Sequence, residues 1–176
     1  APTATVSPVP PEPVPTPNPT ALCVVYFKGG YVSLGTEGQG IRQLADANNV
    51  EQVRISDDGQ VVAYPSQNSA GNYGVFSVNA DGSNQRLLVG QDDLSILSAG
   101  RIVSFDWAPA SHTLYFVTDQ YDLGRVDAAG GSPVSVFGSG KGGFFSFSPD
   151  GQWMVLYHPN ELVLTHLDGS ASRVAF

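Results

Sequence analysis

Apolar residues recur along this chain in short runs, and three kinds of run alternate. In the first kind a single polar residue sits between two apolar ones: Val53-Arg54-Ile55, Phe105-Asp106-Trp107 and Phe145-Ser146-Phe147. In the second the apolar character is nearly continuous: Val61-Val62-Ala63-Tyr64, Leu114-Tyr115-Phe116-Val117 and Trp153-Met154-Val155-Leu156-Tyr157. The third comprises Val75-Phe76-Ser77-Val78, Leu123-Gly124-Arg125-Val126 and Leu162-Val163-Leu164-Thr165. Alternation predicts strands with one polar face, and continuous runs predict strands buried on both faces. Turn signals arrive about every ten residues, so a helical reading fails throughout.

Two turns punctuate these runs. Ser56-Asp57-Asp58-Gly59, Ala108-Pro109-Ala110-Ser111 and Ser148-Pro149-Asp150-Gly151 separate the first run from the second. Glycine accepts positive φ and aspartate tolerates it, which suits a tight hairpin. The other turn carries Gly38, Gly82, Gly130 and Gly169, and four residues beyond these lie Arg42, Arg86, Val134 and Arg173, each opening a short apolar strand. The glycines recur at intervals of 44, 48 and 39 residues, close to the ~40–45-residue period of propeller blades. Each unit therefore reads as four antiparallel strands, too thin to bury both faces without a neighbour. The expected fold class is all-β: a β-propeller of four-stranded antiparallel blades, about four repeats, forming a partial or half ring. The repeats span approximately 22–49, 50–92, 100–138 and 142–176. The first unit lacks its innermost strand, because Leu22–Phe27 aligns with the second strand of the later units and prolines precede it.

Those prolines set residues 1–21 apart. Pro2, Pro8, Pro10, Pro11, Pro13, Pro15, Pro17 and Pro19 fix φ and remove backbone donors. A disordered, polyproline II-like linker is expected there, acting as a stiff spacer. The lone cysteine, Cys23, follows this run within Leu22-Cys23-Val24-Val25-Tyr26-Phe27, read as a buried strand, and it has no intrachain disulfide partner.

Charge narrows the function. Sixteen acidic against 8 basic residues give a net charge of −8. Phosphate would be repelled, so no nucleic-acid partner is expected, and anionic membrane surfaces are disfavoured by the same argument. No stretch approaches the ~18 apolar residues that span a bilayer, so no membrane insertion is expected.

Catalytic and metal motifs are weak. No G-x-S-x-G elbow is present, and His112, His158 and His166 occupy unrelated places in their units. The glycine-rich run from Gly138 to Gly143 precedes a strand rather than a helix and lacks the phosphate-loop pattern. No catalytic residue, metal or cofactor is assigned. The candidate binding residues are Arg54, Asp106 and Ser146, which share one place in the innermost strand and point opposite to their apolar flanks. That strand lines the channel of a propeller, where ligands and peptides dock. Two accounts stand: an Arg54–Asp106 pair joining neighbouring blades, and a polar ring at a channel mouth.

Phe147-Ser148-Pro149-Asp150-Gly151-Gln152-Trp153 resembles the WD40-like (PD40-type) repeat of TolB-like propellers, and Val75–Asn84 followed by Arg86-Leu87 resembles its other half. The resemblance covers 22–176 and is strong in units two and four. In unit three the turn ends irregularly at His112. It implies a non-catalytic module binding a protein or peptide, in an extracytoplasmic place of bacterial type: periplasmic, tethered to the cell surface or secreted. Self-association to complete the ring is a further expectation. The same repeats occur in accessory propellers of prolyl-oligopeptidase-like peptidases, and a carbohydrate-active propeller enzyme is the other alternative.

Overall fold

A computed structural model describes residues 22–67, 71–137, 140–158, 161–167 and 172–174. The expected linker over 1–21 and the turn at Gly169 lie outside the described residues. Four antiparallel sheets follow one another along the chain. The first has three strands, β1 (Cys23–Lys28), β2 (Tyr31–Thr36) and β3 (Gly40–Asp46). The second holds β4 (Arg54–Ile55), β5 (Val61–Gln67), β6 (Tyr73–Asn79) and β7 (Arg86–Val89). A short helix, α1 (Gln91–Ile96), leads to the third, formed by β8 (Ile102–Trp107), β9 (Thr113–Thr118), β10 (Leu123–Asp127) and β11 (Val134–Phe137). The fourth comprises β12 (Phe144–Phe147), β13 (Trp153–His158), β14 (Glu161–His166) and β15 (Ser172–Val174). Strands neighbour one another in sequence order within every sheet, so each sheet is a meander and a propeller blade.

Among the described residues the first blade has no innermost strand, as its alignment predicts: β1 corresponds to β5, β9 and β13. The sequence places Cys23 in a buried strand, and here the structure differs. Cys23 is half-buried, and Val24 and Leu22 are 51% and 67% exposed. One face of β1 (Cys23, Val25 and Phe27) packs on the second blade, and Leu22 and Val24 on the other face are exposed.

Helix α1 corrects the purely extended reading. Its six residues are too few to show a period, yet Leu94 is fully buried in the core between the second and third blades. The Asp93 carboxylate accepts the Gly90 amide at 2.8 Å, satisfying one of the donors a helix start leaves open.

Burial follows the seams between blades. Val32, Leu34 and Leu44 meet Val62, Tyr64 and Val78 across the first. Val61, Val75 and Val89 meet Phe105, Trp107, Leu114 and Phe116 across the second. Tyr115, Val117 and Leu123 meet Met154 and Leu156 across the third. Alternate residues of one strand thus serve opposite seams, which is why the second strand of each blade is apolar almost throughout. Each fully buried Leu or Phe contributes roughly 1.5–3 kcal/mol.

Candidate functional site

The innermost strands β4, β8 and β12 carry the three candidate residues. Arg54 Nε lies 3.7 Å from Asp106 Oδ2, both side chains being about half exposed at 43% and 49%. The Trp107 indole N–H donates to the Arg54 carbonyl at 3.3 Å, tying the same two strands. Burial raises the Asp106 carboxyl above its ordinary range, and the Trp107 amide (2.9 Å) and Arg54 only partly offset it. Ser146 is exposed on β12, and no hydrogen bond among the described residues joins it to the pair. The structure therefore brings Arg54 and Asp106 together across neighbouring blades and leaves Ser146 apart.

At one end of the arc, hairpin turns crowd together. In the Ser56–Gly59 turn, Ser56 Oγ donates to Asp58 Oδ1 at 2.7 Å and accepts the Val61 amide at 3.0 Å, while Asp58 Oδ1 also accepts the Gln60 amide. The Ser148–Gly151 turn repeats the arrangement with Asp150, Gln152 and Trp153. Gly59 and Gly151 take φ of 71° and 68°. The third blade has no aspartate or glycine in its turn, and the left-handed residue moves to Ala110, at φ 52°. The second and third turns touch: Asp57 Oδ2 accepts the Ala110 amide at 3.2 Å, and His112 Nε2 lies 2.9 Å from Asp58 Oδ2.

Side chains also lock the outer seams at this end. Arg42 donates to the Ala80 carbonyl at 3.2 Å, and Arg86 donates to the Ala129 carbonyl. Val134 occupies the corresponding place in the third blade and offers no donor. There Tyr115 Oη takes over, donating to the Leu167 carbonyl at 3.1 Å. Between these locks lies a cavity of about 580 Å³, with Cys23, Thr36, Arg42, Gln60, Asn79 and Arg86 among its walls. A smaller cavity of about 270 Å³ opens at the opposite end, beside Glu51, Tyr73 and Arg101. The spacing of Arg42 and Arg86 from their turn glycines was visible in the sequence. Their acceptors lie in the next blade and were not.

The inner edge of β1 is the remaining feature. The Glu37 amide donates to the Leu22 carbonyl at 2.9 Å, and Val24, Tyr26 and Lys28 follow in the same register with β2. Backbone groups alternate along an antiparallel strand, so the N–H and C=O of Cys23, Val25 and Phe27 point away from β2. Among the described residues no strand pairs with them.

No protein-family model matches the chain, and no curated protein matches it in sequence. Solved structures do match in shape. TolB from Acinetobacter baumannii superposes with a TM-score of 0.61 at 14% identity, covering 88% of this chain and 40% of that one. A putative TolB from Agrobacterium tumefaciens gives 0.62 at 20% identity, covering 83% and 56%. The fold is that of a TolB-like β-propeller. An oligogalacturonate lyase solved with manganese gives 0.66 at 9% identity, covering 86% and 49%. The TolB-like arc thus spans about half the length of these structures, and its fold is shared by proteins of different activity. Among its described residues no group of three His, Cys, Asp or Glu is placed to hold a metal ion, and no helix is long and apolar enough to cross a membrane.

Proposed function

We propose that this TolB-like module is a non-catalytic binding domain that takes an extended segment of a protein partner along the inner edge of β1. The observation that carries the reading is the unequal blade: among the described residues three sheets have an inner strand and the first has β1 at that edge. Three residues there present backbone donors and acceptors in strand geometry, which is the basis of recognition by strand addition.

The other blades indicate the chemistry of the segment. Their inner strands read apolar, polar, apolar. Ile55 pairs with Val62 and Arg54 with Ala63, so the apolar flanks of an added strand would lie beside Val24 and Tyr26. Its central residue would fall beside Arg54, in the relation that Arg54 holds to Asp106. An acidic or amide residue suits that place. Exposed Leu22, Val24, Tyr31 and Ile41 offer the partner a further apolar face. The proline-rich leader and the acidic surface support an extracytoplasmic, cell-envelope setting, where a stiff spacer would hold the domain off an anchor.

The probe is a synthetic peptide copying residues 103–109 of this chain, which contains Phe105-Asp106-Trp107. Amide hydrogen exchange of the full chain is followed as peptide is added. Slower exchange at Val25 and Phe27, with Tyr26 unchanged, is the expected result. Binding that leaves those amides untouched would overturn strand addition. A second copy of the chain at the same edge would show as protection that grows with protein concentration and needs no peptide.

A further inference from the structure

The direction of the added strand leads to the larger cavity. Inner strands β4, β8 and β12 all run antiparallel to their neighbours. A segment pairing with β1 in the same sense therefore finishes beside Cys23, the first residue of β1. In the other blades the chain continues there into a hairpin turn. In the first blade that place borders the 580 Å³ cavity, since Cys23 and Thr36 form part of its wall together with Arg42 and Arg86.

The two arginines make this wall unusual in a chain of net charge −8. Each guanidinium carries five N–H donors. The contacts to Ala80 and Ala129 use one from each and fix the heads in place. Only two ion pairs form among the described residues, Arg54–Asp106 and His112–Asp58, so neither Arg42 nor Arg86 has a carboxylate at contact distance. Asp81 is the acid that feels Arg42. Its carboxyl is held below the ordinary range, first by the Ser83 side chain and amide and only lastly by Arg42. Asp81 shares this wall, and the preset guanidinium donors, with spare capacity, are suited to one further carboxylate.

We propose that the cavity receives the free C-terminal carboxylate of the segment bound along β1, so that the partner is recognised by its chain end. This rests on the strand-addition reading and adds the end group to it. The last residue of the segment runs past Cys23, and the carboxylate accepts from Arg42 and Arg86.

The test compares two peptides of the 103–109 sequence, one ending in a free carboxylate and one in a carboxamide, by fluorescence anisotropy with the full chain. Amidation is expected to weaken binding about tenfold, the size of one charge-assisted hydrogen bond. High salt should shrink that difference. In Arg42→Gln and Arg86→Gln variants the free acid should lose its advantage, while slow exchange at Val25 persists with either peptide. Equal affinity of acid and amide in the unaltered chain would overturn the carboxylate site and leave strand addition standing. Failure of both peptides to protect Val25 and Phe27 would overturn both readings. The comparison of peptides needs no variant, so it stands even where a substitution disturbs the seams.

Discussion

The His112 imidazole of the third blade lies 2.9 Å from the Asp58 carboxylate of the second, so a turn that organises itself also fastens two blades together. Burial alone would raise the Asp58 carboxyl. Hydrogen bonds from Ser56, Gln60 and His112 outweigh it and hold the carboxyl below its ordinary value. A depressed carboxyl contributes stability above the ordinary pKa of ~3.9 and loses it as pH falls through the lower folded value. Asp58→Asn keeps the shape and removes the charge. Its side chain is 53% exposed, so the expected loss near pH 7 is modest, about 1 kcal/mol or less. Urea unfolding should show the variant and parent converging below about pH 4. A gap that widens on acidification would contradict this account of the turn.

The third seam offers a sharper test of a single hydroxyl. Tyr115 is 2% exposed, and its Oη donates to the Leu167 carbonyl at 3.1 Å. Tyr64 is fully buried, but its Oη accepts from Gln85, whose side chain reaches in from an exposed position. Tyr115→Phe removes the donor from a partly buried carbonyl and should cost roughly 1–2 kcal/mol. Tyr64→Phe frees an amide that water can serve and should cost less. Burial raises the Tyr64 hydroxyl to about 12, so that phenol contributes no charge near neutrality. Thermal unfolding of both variants decides the order.

These two cases show what the sequence reveals and where it stops. Ser148-Pro149-Asp150-Gly151 announces a turn because its own side chains close it, and all the required information is local. That the first blade has three strands among the described residues was legible because the repeat supplies its own template. Helix α1 escaped notice because six residues hold too little periodicity, and Leu94 is fixed by a seam rather than by its neighbours. The partners of Arg42 and Arg86 are turn carbonyls of the following blade, a relation set by how blades stack. Of the three candidate residues, Arg54 and Asp106 were legible as a pair by position. Ser146 shares that position in the sequence, but no hydrogen bond draws it to them, and a serine carries no charge to do so.

The Arg54–Asp106 pair should matter more for binding than for folding. Both side chains are about half exposed at 3.7 Å, a setting in which an ion pair contributes ~0–1 kcal/mol. Arg54→Ala and Asp106→Ala together should leave the unfolding midpoint almost unchanged. If the channel side of the arc takes a partner, the same double variant should weaken binding of the peptide copying residues 103–109 several-fold. An unaltered affinity in a folded double variant would remove Arg54 and Asp106 from the binding surface.

Gly142 provides the most severe test of how the fourth blade sits on the third. Its amide donates to the Tyr121 carbonyl at 2.7 Å, and a Cβ built on it would lie 2.5 Å from that oxygen and 2.6 Å from the Leu123 amide nitrogen. Both obstacles are backbone, so no side-chain rotation relieves them. Gly140, two residues earlier, faces open space but has φ of +71°. Alanine there meets only a conformational penalty of about 1 kcal/mol. Gly142→Ala must push the segment entering β12 away from the loop joining β9 to β10, opening the packing of Met154 and Leu156 on Tyr115 and Val117. The expected cost is at least ~2–3 kcal/mol, well above that of Gly140→Ala. Denaturant unfolding of the pair measures the difference, and near-ultraviolet circular dichroism should register the loosened Tyr115, Phe145 and Phe147 contacts. Equal costs at the two glycines would mean that backbone crowding at Gly142 does not seat the blade, and that the apolar seam alone holds it.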